Sequence, residues 1–460
     1  MRAVQLIIHT IITSCQASSI IQDRNLNQNH GTQQQQQQVL GAGPLSTHRQ
    51  ARGFIALGDS YSAGIGTGTD AQELPTEGDC RHGVYAYPQL IHHDLNNATG
   101  LNTTFQWLSC TGAITTDILS TGGGGAGGAP PAQFNYNNNN NNNRLLHQGQ
   151  QVPGQVDLLN ASLPLDFATL SVGGNDLGFF DVMNACIFRF YSFYSGTCEK
   201  ALEAADAAVK SSQFEQRLAV ILREVLDAVS WEKRARFSIA VTGYARFFDA
   251  DTPGCDDMSL GVWYGGPKLS RDIRGRMNAL VGAANDKLRR TVEEAEARFK
   301  GSRPRVLFVD YDDLFEGHRF CEEGVLEPAY NRTDSWFFLV GGPDNARNET
   351  TWPNGTNGDP GSSTRFSRGD KILSPLSPLV DPRNCLPRAQ GRGDWGELAL
   401  CYMAMAKHRD PSLRLAHDGI TPQNGMWWVP TYYGKTFHPR TLGHEAIRDR
   451  IYQVWEQHGL

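Results

Sequence analysis

The chain has 460 residues, with 42 Lys+Arg against 48 Asp+Glu and a formal net charge of −6. That balance excludes a nucleic-acid binder, which needs a basic surface to displace phosphate counterions. Hydrophobic residues at 40% and aromatics at 10% supply a real core and exclude wholesale disorder.

In chain order, Met1-Arg2-Ala3 brings one positive charge, a short apolar run follows to Ile12, and Cys15-Gln16-Ala17 offers a cleavage signal. Residues 1–17 therefore read as a secretory signal peptide, too short to span a membrane. Residues 18–50, which include the run Gln33 to Gln38, read as a disordered leader, because they cannot offset the entropy of ordering. Residues 51–460 form the folded domain. It carries a low-complexity insertion at 117–150, where glycines give way to the run Asn137 to Asn143, and a loop insertion at 325–380 rich in Pro, Gly, Asn and Ser. Within the second, Trp336-Phe337-Phe338-Leu339-Val340 suggests a short strand or a surface anchor.

Between these tracts, β-rich runs at 54–57, 105–108, 167–172, 237–241 and 306–309 alternate with helical patterns at 87–96, 199–229, 273–299 and 441–455. Five strands alternating with helices predict an α/β domain with a parallel sheet covered on both faces. In such sheets the chemistry gathers beyond the carboxyl ends of the strands.

The strand exits carry suggestive residues. Gly58-Asp59-Ser60 follows the first strand, where a serine can raise its hydroxyl above the sheet, although this is also a common turn sequence. The glycines Gly64, Gly66 and Gly68 miss the dinucleotide fingerprint, since Thr69 stands where the last glycine belongs. After the second strand, Cys110-Thr111-Gly112 offers an unobstructed backbone N–H at the glycine. After the third, Gly173-Gly174-Asn175-Asp176 makes a tight exit that aims the Asn175 carboxamide at the cleft, a neutral donor for an oxyanion. Near the C-terminus, Thr436-Phe437-His438-Pro439 leads into the last helix and places His438 to take a proton. His444, inside the helix pattern, reads as structural.

Once Cys15 leaves with the signal, eight cysteines remain: Cys80, Cys110, Cys186, Cys198, Cys255, Cys321, Cys385 and Cys401. An even number fits an oxidising compartment, and nearest-neighbour pairing is the expectation, although sequence leaves the connectivity open. Glycan acceptors stand at Asn97, Asn102, Asn160, Asn331, Asn348 and Asn354. No C-x-x-C pair occurs, and His92-His93-Asp94 diverge around a helix axis, so no metal is expected. No cofactor fingerprint is present either, so catalysis needs no cofactor.

The blocks Gly58-Asp59-Ser60, Gly112, Gly173-Gly174-Asn175-Asp176 and His438, in that order, resemble the SGNH hydrolases, the GDSL-type lipases and esterases. The resemblance spans about 53–460, apart from 117–150 and 325–380. It implies a flavodoxin-like three-layer αβα sandwich with a five-stranded sheet ordered 2-1-3-4-5. It also implies Ser60 as nucleophile, His438 as general base, and an oxyanion hole from the backbone N–H of Ser60 and Gly112 with the Asn175 side chain. Many members have Asp three residues before the histidine, where this chain has Lys435, whose side chain cannot accept a hydrogen bond. A secreted, disulfide-containing branch looks similar here and uses a backbone carbonyl in a Ser-His dyad. The Lys435 carbonyl is expected in that role, with Asp418 in His417-Asp418-Gly419 a more distant substitute.

The resemblance implies a serine esterase or lipase acting on a small-molecule or lipid ester, expected to be a secreted monomer. The charge balance argues against a nucleic-acid partner, and with no later long apolar run no transmembrane anchor is expected. The aromatic stretch from Met426 to Gly434 suits an acyl pocket, stacking on sugar rings or plain packing of the last loop onto the core. Phe179-Phe180 and residues 188–194 raise apolar density on the same edge and favour an acyl chain. Two alternatives stand beside it: a deacetylase for acetylated polysaccharide, and a catalytically silent surface-binding glycoprotein. The second is motivated by the missing acid and by Arg368-Gly369-Asp370 and Arg392-Gly393-Asp394.

Overall fold

The computed structural model describes residues 52–68, 80–100, 102–121, 153–188, 197–260, 268–299, 303–329, 332–339, 342–346, 383–387 and 431–460, with 301, 401, 405 and 409. All of them fall within one compact unit spanning Thr47–Leu460. The expected signal peptide and leader (1–50), most of the 117–150 insertion and residues 347–382 lie outside them. So do the acceptors Asn331, Asn348 and Asn354, His417-Asp418-Gly419, both Arg-Gly-Asp tripeptides, residues 426–430 and 189–194.

The elements in chain order are β1 (Gly53–Gly58), α1 (Ser60–Ala63), α2 (Tyr87–Thr99), β2 (Thr104–Trp107), α3 (Thr115–Ile118), β3 (Phe167–Ser171) and α4 (Phe179–Met183). There follow α5 (Cys198–Lys210), α6 (Gln213–Ala228), β4 (Ser238–Thr242), α7 (Arg271–Glu296), β5 (Val306–Val309), α8 (Thr431–Gly434) and α9 (Thr441–Gln457). The five strands are all parallel and ordered β2-β1-β3-β4-β5, as the resemblance implied.

Register explains why these strands are apolar throughout. Phe54 faces Phe105 on one side and Phe167 on the other, and the three rings stack at 4.5 and 4.7 Å. Trp455 of α9 packs edge-on to Phe167 at 4.5 Å, so this face of the sheet is closed by the terminal helix. The alternate residues Ile55, Leu57, Ala168 and Leu170 point to the other face and are equally buried. Strands covered on both faces read as continuous apolar runs instead of alternating ones. Helices α2 and α9 pack on one another, as do α5 and α6 on α7.

The single helix expected over 199–229 is two. Ser211 adopts an extended backbone as the C-cap of α5, and its Oγ accepts from the Gln213 N–H at 3.2 Å. Serine hydroxyls compete for backbone donors in this way and favour helix ends over interiors. The cysteines join as Cys80–Cys110, Cys186–Cys198, Cys255–Cys321 and Cys385–Cys401, which is nearest-neighbour order. Residues 336–339 are no surface anchor. All four are buried, and Phe337 forms an antiparallel bridge with Pro439.

Strand order reverses between β1 and β3, which opens a crevice above their carboxyl ends. β2 stops short of β1 there, and the buried Gln155 side chain takes over the ladder. Its Oε1 accepts the Gly58 N–H at 2.7 Å, and its Nε2 donates to the Gly58 carbonyl at 2.8 Å. The carbonyl keeps a second donor in the Cys110 N–H at 2.9 Å, so removing the amide orphans the N–H. Gln155→Leu is expected to destabilise the fold by about 1–3 kcal/mol, read as a lowered urea midpoint at unchanged m-value; an unchanged midpoint would contradict this pairing.

Candidate active site

At Gly58 φ is +128°, and an added Cβ would lie 2.0 Å from the Ser171 carbonyl oxygen. Glycine is thus required for β1 to leave the sheet against β3. Asp59 then caps α1, its Oδ1 accepting from the Tyr61 N–H and from Ser171 Oγ, both at 3.0 Å. Its Oδ2 accepts from the Tyr244 hydroxyl at 2.6 Å. Burial raises the Asp59 carboxyl to about 6, against the opposing pull of these three donors. The Tyr244 oxygen in turn accepts from the Gly174 N–H at 2.9 Å. One buried network therefore ties the turn carrying Ser60 to the turn after β3.

His438 comes from the opposite end of the chain and meets Ser60 directly, with Nε2 2.6 Å from Oγ. Its Nδ1 lies 3.2 Å from the Thr436 carbonyl. A carbonyl only accepts, so Nδ1 carries the proton and Nε2 is the acceptor for the serine hydroxyl. Burial pulls the imidazole down from 6.5 to about 4; the Thr436 and Lys435 carbonyls oppose this, and the Arg81 charge adds to it. The Lys435 carbonyl, expected to orient the ring, takes the His438 backbone N–H at 2.9 Å and shares its influence on the imidazole with Thr436. The difference is one peptide unit: the tight turn aims the Thr436 oxygen at the ring and the Lys435 oxygen at the main chain. The Lys435 ammonium is turned away, 4.4 Å above the Phe338 ring.

The turn that presents His438 is strained and heavily tied. Phe437 has φ +64°, a left-handed conformation that costs a non-glycine residue about 1–2 kcal/mol. Its N–H donates to the Phe338 carbonyl at 3.0 Å, and the Phe338 N–H donates back to the His438 carbonyl at 3.0 Å. The Phe437 ring packs against Phe247 and Phe320 at 5.2 and 5.0 Å. Farther on, the Asp344 carboxylate accepts from the Thr441 N–H at 2.9 Å and its Oγ1 at 2.6 Å, fixing the start of α9. Two segments of the 325–380 insertion, around Phe338 and Asp344, thus build the platform for His438.

Gly112 has φ +88°, which turns the chain after Cys110 toward the crevice. The Asn175 Nδ2 donates to the Ala113 carbonyl at 3.0 Å, joining the turns after β2 and β3. Asp176 is buried behind them, and its carboxylate accepts from the Thr115 N–H at 3.0 Å and Oγ1 at 2.5 Å, with Arg217 at 3.7 Å. Burial raises its pKa, with Thr115 and Arg217 opposing. Ser60, Gly112, Asn175 and His438 line one pocket, walled on its apolar side by Phe179, Phe180, Met183 and Phe247.

All four family blocks therefore converge. Sequence reasoning missed Tyr61, Tyr244, Gln155, Thr436 and Phe338, none of which has a local signature. It quoted Asp59 and Asp176 without their structural work. His444 is structural: its Nδ1 accepts the Tyr87 N–H at 3.2 Å, and burial lowers its pKa to about 3. Among the described residues no cluster of His, Cys, Asp or Glu is arranged to hold a metal ion.

Because both histidines are depressed in the folded state, the unfolded chain takes up their protons first as pH falls. They draw stability down as pH falls below 6.5, to about 4 for His438 and about 3 for His444. Asp59 acts oppositely: its folded value near 6 exceeds the usual 3.8, so its contribution is full below 3.8 and lost as pH rises through about 6. Imidazole ¹⁵N titration is expected to find His438 and His444 neutral at about pH 5.5, where an exposed histidine is mostly charged. Midpoints near 6.5 for either would contradict the burial.

No protein-family profile matches the chain. Sequence similarity does exist to Lipase 1 of Streptomyces coelicolor, 30% identical over 202 residues, which is 44% of this chain and 56% of that lipase. A lipase of Streptomyces rimosus is 24% identical over 272 residues, 59% of this chain and 74% of its own length. The chain thus spans little more than half the length of the first of these relatives. Among solved structures, phospholipase A1 from Streptomyces albidoflavus NA297 aligns with 63% of this chain and 88% of its own, at 24% identity and a TM-score of 0.39. The extracellular lipase from Streptomyces rimosus aligns with 60% and 90%, at 22% identity and a TM-score of 0.37. The chain is thus similar in sequence to two Streptomyces lipases, and it carries four disulfides.

Proposed function

We propose that this protein is a secreted lipase or esterase that hydrolyses carboxylic esters through a serine acyl-enzyme. The observation that carries the reading is the 2.6 Å contact between His438 Nε2 and Ser60 Oγ, in a pocket that also presents Gly112 and Asn175. Ser60 Oγ attacks the ester carbonyl while Nε2 takes its proton. The oxyanion that forms is met by the backbone N–H of Ser60 and Gly112 and by the Asn175 carboxamide. Collapse expels the alcohol, which receives the proton from His438, and leaves the acyl group on Ser60. A water deprotonated by the same nitrogen then releases the acid and restores the serine.

The wall of Phe179, Phe180, Met183 and Phe247 suits an acyl chain, because burying its methylenes is favourable at roughly 0.8 kcal/mol each. Four disulfides fit export to an oxidising compartment. Among the described residues no helix is long and apolar enough to cross a membrane. Asn97, Asn102 and Asn160 are exposed, as glycan acceptors need to be.

Hydrolysis of p-nitrophenyl acetate, butyrate and palmitate tests the reading. Ser60→Ala and His438→Ala are expected to lose at least about 10³-fold in kcat, and Asn175→Ala about 10²–10³-fold. Full activity in Ser60→Ala would remove it. The base works only when neutral, so kcat/KM is expected to rise with pH through about 4 and to stay level to neutrality. An acid limb near 6.5 would contradict the buried imidazole.

A further inference from the structure

A triad aspartate fixes the imidazole from its far side with a charged acceptor. Here Nδ1 meets a neutral carbonyl at 3.2 Å, so the ring's aim depends on the backbone that carries it. That backbone is the Phe437–His438 peptide unit, and it is gripped at both ends. The Lys435 carbonyl accepts its N–H at 2.9 Å, and its oxygen accepts the Tyr61 hydroxyl at 2.9 Å, across 376 positions of sequence. Phe437 sits at φ +64°, a conformation that persists only while its surroundings over-determine it. Tyr61 directly follows Ser60, so whatever holds its hydroxyl refers the histidine turn to the nucleophile itself. The residue is buried, with its ring 5.2 Å from the imidazole and edge-on to Tyr244 at 5.1 Å. Burial, with the Asp59 charge beside it, holds the phenol well above its usual range, so it keeps the proton it donates.

We propose that Tyr61 is a positioning residue that does the orienting work of the absent aspartate: its hydroxyl, held to the Phe437 carbonyl, fixes the imidazole of His438 relative to Ser60. The proposal rests on the reading of these two as nucleophile and base. It accounts for how a dyad without an acid keeps its short Nε2–Oγ contact. The restraint is mechanical: Tyr61 touches neither the reacting serine oxygen nor the ring nitrogens by hydrogen bond, and acts through the main chain of the turn.

The test is Tyr61→Phe, which deletes the hydroxyl and keeps the ring, with active sites counted by fluorophosphonate titration. On p-nitrophenyl butyrate, kcat per titrated site is expected to fall about 10–100-fold with KM within about two-fold. Incorporating 4-aminophenylalanine at position 61, which restores a donor, should recover most of that loss. Unchanged kcat per site, a loss that the amino variant does not recover, or a Tyr61→Phe protein that does not fold would overturn the proposal. A second readout is independent of activity. In Ser60→Ala, the His438 ¹⁵N signals are expected to report one tautomer, protonated at Nδ1, and adding Tyr61→Phe should average the two tautomers. The same single tautomer in both proteins overturns the positioning role. Full activity in Ser60→Ala would instead sink the nucleophile assignment and leave the spectral comparison to decide Tyr61.

Discussion

The hydrogen bond between His438 and Ser60 joins residues 378 positions apart, and the surrounding structure can be understood as what holds its two ends. One end is set by the sheet. The reversal of strand order between β1 and β3 leaves a gap, and Gly58 lets β1 leave it against Ser171 with no side chain in the way. Asp59 then fixes the turn by accepting from three donors at once. The other end is set by the left-handed turn at Phe437, pinned by Phe338 on one side and Tyr61 on the other.

Electrostatics follow from how dry this arrangement is. Buried Asp59 is pushed up to about 6 and buried His438 down to about 4, so both are biased toward their neutral forms by loss of water. A carboxylate partner would have raised the histidine, since hydrogen bonds to a charged acceptor are roughly twice as strong as those to a neutral one. With the Thr436 carbonyl in that place, the imidazole stays a ready acceptor in mildly acidic solution but gains less when it becomes charged. The dyad therefore leans on geometry where a triad leans on charge.

The parts legible in the sequence are those whose signal is local. Five apolar runs led to the sheet without knowledge of what packs against them. The strand-exit glycines and the histidine before the last helix pointed to Ser60, Gly112, Asn175 and His438 only through their resemblance, in order, to the SGNH hydrolases. Residues whose role depends on tertiary register were invisible. Gln155 imitates a strand only because β2 ends early. Tyr244, two residues past the end of β4, bridges Asp59 and Gly174 from a strand exit that carries no block of its own. Phe338, in a stretch that read as insertion, is a main-chain partner of the histidine turn. The Thr436 and Lys435 carbonyls differ by one peptide rotation, which no pattern of residue types encodes. The helix pattern over 199–229 ran on through Ser211 because both halves bury an apolar stripe, and only side-chain competition for backbone donors ends the first.

The central claim is that Ser60 is a nucleophile activated by His438 through an uncharged dyad. Its most direct test is covalent labelling by a fluorophosphonate followed by peptide mass mapping, on the wild-type protein and on His438→Ala. The account predicts one label per molecule, on Ser60, with labelling at least about 10²-fold slower without the histidine. Label on another residue, or an unchanged rate in His438→Ala, would contradict it.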